Sequence, residues 1–583
     1  MIKKLLRSVR EYKKSSILAP VFVSLEVVME VIIPLLTAML IDRGIHDGDM
    51  GYILKIGGLL VVCCAVSLTF GVLSGKHAAQ ASAGFGKNLR SDMFDAVQSY
   101  SFSNIDKFSS SSIVTRLTTD VTNIQNSYQM IIRVAVRAPF MMIFALIMAI
   151  RLCPRLAWVY LTIVPVLGVG LWLIMSRAHP IFERVFKTYD KLNRVVQENL
   201  RGIRVVKSFV REDHEVEKFN SVSDEIYRDF TKAERLIAFN APLMQFCAHF
   251  CIIMISWFGA KMIIASGNDP ANGFTAGQLT SMITYSMQIL MSLMMVSMIF
   301  VMIVISRASA ERIVEILDEK PDIVSPEDAL KEVADGAIDF DHVSFSYSDK
   351  AEKMCLDSVD LHIPSGATVG IIGGTGSSKS TLVQLIPRLY DVSEGSVRVG
   401  GEDVRRYDLD VLRDAVAMVL QKNVLFSGTV RDNLRWGDEN ATDEQLEHAC
   451  RLAQAHDFIM AHPDGYDRMI EQGGANVSGG QKQRLCIARA LLKHPKVLIL
   501  DDSTSAVDTA TDAKIRASFA LDIPDVTKII IAQRIASVKE ADMIVVMDDG
   551  KIDGIGTHDE LMKSNEIYRE VCESQQNGGD DDE

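Results

Sequence analysis

The chain has 583 residues, 48% of them hydrophobic and 23% charged, with a formal net charge of −13. That length exceeds one ordinary domain, and the acidic balance argues against nucleic acid as the main partner. The apolar residues are segregated: residues 1–310 hold runs of about 20 apolar residues, enough to cross a bilayer core of about 30 Å, whereas 338–575 reads as a soluble α/β protein.

The start, MIKKLLRSVREYKK, is basic with Leu and Val at helical spacing. It predicts an amphipathic helix on the cytoplasmic membrane face. Six spans follow, at roughly 16–42, 53–75, 130–150, 156–176, 242–266 and 279–305. The link at 177–241 carries Arg184, Lys187, Arg194, Arg201, Arg204 and Lys207, while RGIHDGDMGY is acidic on balance. The positive-inside rule therefore puts the long links and both termini in the cytoplasm, with RLCPR at 151–155 the exception. The long links keep helical periodicity, as in VVQENLRGIRVVKSFVRE, so the membrane helices are expected to continue beyond the bilayer. FSNIDKFSS (102–110) and REDHEVEKF (211–219) are the candidate turns where each pair reverses.

Charge at membrane depth is costly and marks a wet cavity or an internal ion pair. Glu26 and Glu30 in the first span, and Arg133 and Arg137 in the third, fit either role, or a place near a span end. The sixth span holds Met282, Met287, Met291, Met294, Met295, Met298 and Met302. That stripe fits ordinary packing or a permissive apolar substrate wall. Nine cysteines, including Cys63, Cys64, Cys247 and Cys251, show no metal spacing and read as small packing residues. The transmembrane domain is expected over 1–316, a linker over 317–337, a soluble α/β domain over 338–575, and a disordered acidic tail over 576–583, within the polar run CESQQNGGDDDE.

In the second domain, TVGIIGGTGSSKSTLVQLI (368–386) is an apolar strand, a glycine-rich turn and a helix. Gly373, Gly374, Thr375, Gly376, Ser377, Ser378 and Thr381 surround Lys379 and Ser380. Backbone N–H groups of such a loop can wrap phosphates, with the Lys on the β and γ phosphates and the Ser hydroxyl on Mg²⁺. The strict pattern has Gly where Ser378 stands. The strand KVLILDD ends in Asp501, suited to Mg²⁺, and Asp502. Between them, Ser478, Gly479 and Gly480 open a second helix.

The run Val477, Ser478, Gly479, Gly480 and Gln481 matches the signature of ATP-binding cassette (ABC) proteins. The chain as a whole resembles an ABC exporter half-transporter: an all-α polytopic membrane domain followed by an α/β P-loop NTPase domain. The resemblance implies that Tyr347 stacks on adenine and that Gln421 links Mg²⁺ to the membrane domain. It implies that Ser505, Ala506, Val507 and Asp508 cross to the opposite subunit, and that two ATP molecules lie between paired cassettes. In the family a Glu follows the Mg²⁺ Asp and a His contacts the γ-phosphate; here those positions hold Asp502 and Gln533. With Ser378, that makes three departures in one pocket, while the signature, which the resemblance assigns to the other composite site, is intact.

The expectation is a heterodimer in a bacterial cell membrane. This chain's own site would bind ATP and Mg²⁺ but cleave poorly, and its signature would complete a partner's site carrying Glu and His. Drug-type efflux of hydrophobic or amphipathic compounds is the expected work, in contact with membrane lipid and without nucleic acid. A slow homodimeric exporter of lipid or peptide, and an ATP-binding regulatory subunit that moves no solute, are the alternatives. Fold does not fix substrate.

Overall fold

The computed structural model describes residues 1–268, 273–348, 353–502 and 507–577. The chain divides into two compact units, one of residues 1–98 and 110–319, the other of residues 99–109 and 320–583.

In the first unit, six helices among the described residues are long and apolar enough to cross a membrane: Ile2–Ile45, Met50–Gln98, Ser110–Leu152, Trp158–Arg201, Glu212–Ser266 and Ala276–Ile299. Their regular parts are α1 (Lys13–Met39) and α2 (Met50–Gln98), then, after the short α3 (Phe102–Lys107) of the second unit, α4 (Val121–Leu152) and α5 (Ala157–Arg201). The short α6 (Ile203–Ser208), α7 (Glu212–Ala238), α8 (Asn240–Ser266) and α9 (Ala276–Asp318) complete the unit. With 49 residues, α2 runs about 74 Å at about 1.5 Å per residue. That exceeds the bilayer core by about 40 Å. Small buried residues at helical spacing, Ala145 and Ala149 on α4 and Cys247 and Cys251 on α8, let these helices pack closely. All nine cysteines are free thiols.

The charged residues of the spans form an ion-pair trio. Arg137 donates to Glu26 at 2.5 Å and to both oxygens of Glu30 at 2.7 and 2.8 Å. Glu30 and Arg137 also line a cavity of about 480 Å³ whose wall includes Met287, Met291 and Met295. The two roles left open by the sequence thus coexist. Arg133 lies beside Gly75 of α2.

Two segments differ from expectation. The second turn falls at 202–211, not at 211–219: Gly202 ends α5, and Val210 takes a left-handed φ of 50°. Residues 212–219 already belong to α7, whose first turn carries Glu212, Asp213 and Glu215 against the positive end of the helix dipole. The N-terminal segment is not one continuous helix. It breaks at Arg10, with φ 39°, and turns Leu5, Ser8 and Val9 inward, where Ser8 donates to Asp92 of α2 at 2.6 Å.

The second unit holds two main sheets. One joins β1 (Ile338–Phe345), β2 (Leu356–Ile363), β4 (Glu394–Val399) and β5 (Glu402–Asp403) in the order β2-β1-β4-β5. The other contains β3 (Thr368–Gly373), β6 (Val416–Val419), β9 (Val497–Asp501), β10 (Thr527–Ile531), β11 (Met543–Asp548) and β12 (Lys551–Gly556), ordered β12-β11-β3-β10-β9-β6. The short β7 (Gly428–Thr429) and β8 (Met469–Ile470) pair separately. Within the six-stranded sheet only β12 is antiparallel to its neighbour. Every residue of β9 and β10 is buried. Parallel strands covered on both faces need such unbroken apolar runs, and each buried Leu or Ile contributes about 1.5–3 kcal/mol. The site helices are α10 (Lys379–Gln384), α11 (Gly479–Leu491), α12 (Thr509–Asp522) and α13 (Glu566–Asn577).

Residues 99–109 join this second unit through side-chain bonds. Ser101 and Asn104 cap α3 reciprocally, and Asn104 donates to the Lys320 carbonyl at 3.1 Å. Tyr390 donates to Asp106 at 2.6 Å and meets the edge of Phe102.

Candidate nucleotide site

Open parallel sheets place ligands beyond the carboxyl ends of their strands. Four neighbouring strands end here in the expected residues: β3 in Gly373 and its loop, β9 in Asp501, β6 two residues before Gln421, and β10 two residues before Gln533. At Gly373 an added Cβ would sit 2.2 Å from the Met547 carbonyl, so only glycine lets β3 pass into the loop. Ser378 takes a left-handed φ of 69° immediately before α10. A residue with a Cβ is strained there by about 1–2 kcal/mol, a cost glycine does not carry.

The P-loop side chains meet the strand ends. Ser380 donates to Asp501 at 2.9 Å. Lys379 donates to the carbonyls of Gly373 at 2.9 Å and Gly374 at 2.7 Å. Burial pushes the Asp501 carboxyl up from its ordinary range, reinforced by Asp502 and opposed by the Ser380 hydrogen bond. Burial pushes the Lys379 ammonium down, against the pull of Asp501 and Asp502. A hydroxyl beside a buried carboxylate is a hard-oxygen set suited to Mg²⁺, and the lysine suits an anion. A Mg²⁺–triphosphate would supply the countercharge each group lacks, so these residues fit the expected ligand.

Asp502 is differently placed. It is buried, has a left-handed φ of 47°, and its Oδ2 accepts from Gln533 Nε2 at 2.8 Å and from Gln421 Nε2 at 3.4 Å. The two glutamines thus hold its short side chain in the strand-end cluster. Tyr347, on the loop after β1, is half exposed, and its hydroxyl lies 3.1 Å from Thr381 and 3.2 Å from Gln384 of α10. Phe345 and Tyr390 support its ring edge-on. An aromatic surface therefore stands beside the phosphate loop.

The signature belongs to another element, the start of α11. Ser478 accepts from the Gln481 N–H at 3.3 Å, and the Gln481 side chain accepts from the Ser478 N–H at 3.1 Å. This reciprocal box uses Ser and Gln three apart to satisfy two end donors. Val477 packs against the helical core, and Gly479 and Gly480 open the helix. Of the cross-subunit loop, Ser505 and Ala506 lie outside the described residues; Val507 is buried, and Asp508 caps α12 through the Thr511 N–H at 2.9 Å.

One contact was not expected from sequence. Gln575 of α13 donates to the Gln533 carbonyl at 2.7 Å and accepts from the Ile535 N–H at 2.9 Å. The polar run read as tail is therefore helical through Asn577, anchored by buried Tyr568 and Cys572. The spacing of Tyr568, Cys572 and Gln575, four and three residues, was the available signal.

Comparison with known proteins agrees with this geometry. The family description "ABC transporter transmembrane region" matches residues 16–307, and "ABC transporter" matches residues 356–505. Uncharacterized ABC transporter ATP-binding protein YfiB of Bacillus subtilis is 34% identical over 574 residues, 98% of each chain. An uncharacterized ABC transporter ATP-binding protein of Mycobacterium tuberculosis is 35% identical over 588 residues, 99% of this chain and 98% of the relative. The ATP-dependent lipid A-core flippase of Desulfotalea psychrophila is 32% identical over 534 residues, 91% of each chain. The chain belongs to the ABC transporter family: it is a multi-pass membrane half-transporter of the exporter type, with a helical membrane domain fused to an α/β nucleotide-binding ATPase domain.

Proposed function

We propose that this chain is the weak-site half of a heterodimeric exporter that moves hydrophobic or amphipathic compounds by alternating access. Its own P-loop, Asp501 and Tyr347 hold Mg²⁺–ATP and rarely cleave it. Its signature completes the competent site on a partner half that carries Glu and His at the positions of Asp502 and Gln533. ATP binding closes the paired cassettes, and hydrolysis at the partner's site lets them reopen.

The observation that carries this proposal is the Asp502 carboxylate, engaged by Gln533 at 2.8 Å and Gln421 at 3.4 Å. Asp is shorter than Glu by one C–C bond, about 1.5 Å. A misplacement of about 1 Å can cost on the order of 100-fold in rate. Gln533 adds a neutral amide where a protonatable ring is usual in the family, and an amide cannot become a cation. Strain at Ser378 is the third departure. The capped, regular start of α11 supports a working signature.

A homodimeric lipid exporter is the alternative, favoured by the relative named as a lipid A-core flippase. Inside-out vesicles separate the two. The heterodimer requires ATP-driven uptake of an apolar dye only when both halves are present. Uptake by this chain alone, or movement of labelled lipid alone, would favour the alternative.

A further inference from the structure

We propose that the cavity between α1, α4 and α9 is a subsite for the ammonium group of an apolar amine. This deepens the efflux proposal above and rests on it. Arg137 is one guanidinium facing two carboxylates, at 2.5 Å from Glu26 and 2.7 and 2.8 Å from Glu30. Glu26 stands behind it against Gly71 of α2, while Glu30 and Arg137 line the cavity. With both carboxylates ionised the trio carries one net negative charge, and such a charge at membrane depth calls for a cation or a proton. Arg133, one turn earlier on α4, lies beside Gly75 and is in no ion pair with either carboxylate among the described residues.

The rest of the wall offers acceptors and few donors. Pro34 has no N–H to give the Glu30 carbonyl four residues before it. The Gln288 amide nitrogen faces that carbonyl instead, at 3.5 Å. Its other end, Oε1, is then a buried acceptor with no hydrogen-bond partner, and behind the wall Glu26 Oε2 is a second one, on a side chain 10% exposed. The cavity hydroxyls donate to their own helix, Thr284 to the Thr280 carbonyl at 3.1 Å and Ser292 to the Ile289 carbonyl at 2.7 Å. Apart from the N–H groups of Arg137 and the second N–H of Gln288, what faces a guest is lone pairs, those of the Glu30 carboxylate first. Around them Met287, Met291 and Met295 give a soft apolar wall in a cavity of about 480 Å³. A net negative, acceptor-rich and apolar site selects a molecule that is a cation, an N–H donor and greasy at once.

Daunorubicin and N-acetyl-daunorubicin test this, because they share one fluorescent body and differ in whether the nitrogen is charged. Binding is measured on the full-length protein in phosphatidylcholine nanodiscs. A charge-assisted hydrogen bond predicts that the amine binds about tenfold tighter or more than the amide. Glu30→Gln should bring the two ligands within about twofold, since Arg137 keeps Glu26 and no buried charge is orphaned. Gln288→Leu, which carries no charge, should cost the amine part of its advantage. Adding phosphatidylethanolamine separates the sources: competition with the amine identifies a lipid ammonium as the occupant, and no competition leaves a soluble amine. Equal binding of amine and amide means the trio holds a proton instead, and overturns the subsite. Tightest binding of the N-succinyl derivative, an anion, also overturns it and assigns the cavity to acidic headgroups through Arg137. Equal ATP-driven efflux of both ligands would refute the subsite and leave the export proposal standing; absence of both binding and efflux would remove both.

Discussion

The two nucleotide-facing regions of this chain are built to different standards. At the start of α11, Ser478 and Gln481 satisfy each other's backbone donors, and glycines stand where the helix opens. At the P-loop, a serine occupies a left-handed position, and the acid after Asp501 is short and engaged by two glutamines. The difference teaches that binding and cleavage make separate demands. The groups suited to hold phosphate and Mg²⁺ in the proposal, Lys379, Ser380 and Asp501, lie together at the strand ends. The groups that would move a proton, Asp502 and Gln533, depart from the family's Glu and His. In the proposed heterodimer, that lapse falls on the half of the chemistry that a partner's site would perform.

The comparison breaks most sharply at the signature. Ser478→Arg puts a long cation at a positive helix end and removes the cap. ATP turnover of the paired transporter should fall on the order of 100-fold, as for other displaced catalytic geometry; an unchanged rate would mean this signature serves no working site. Repairing the other region should do less. Asp502→Glu with Gln533→His should raise the rate of the pair about twofold, as a second site begins to turn over, read as a change in kcat at saturating ATP. Ser378→Gly removes strain of about 1–2 kcal/mol and should tighten ATP binding by about thirtyfold at most. The melting temperature should barely move, because glycine's chain entropy offsets the relief. Gln575→Ala should act on stability and leave turnover nearly unchanged. Losing its two bonds to the Gln533–Ile535 loop should cost about 1 kcal/mol and lower the melting of a cassette this size by about 2–4 °C.

Much of this was legible because its causes are local. Apolar runs of span length mark membrane helices whatever surrounds them, and the P-loop and signature work through backbone geometry within a few residues. The Asp and Gln substitutions were visible as letters, though their mutual hydrogen bond, 31 residues apart, was not. Helix ends were harder. Periodicity runs through Gly202 into α6 without a break, so the second turn was set late, although the acids at 212–215 mark a helix start. The assignment of residues 99–109 to the second unit depends on Asn104 reaching Lys320, across 216 residues, and no local pattern announces it. The Arg137 trio joins residues 111 and 107 apart. Sequence could name its members and could not choose between ion pair and cavity wall, because the fold makes them both.

The most direct test is the ATPase activity of this chain purified alone in lipid, with its Asp502→Glu, Gln533→His variant beside it. The weak-site account predicts that the chain alone binds ATP without turnover above background. It predicts that the variant, having regained a long acid and a protonatable ring, turns over measurably. Brisk hydrolysis by the unmodified chain would contradict the account, since Asp502 would then suffice as the base despite its reach and its two glutamine partners.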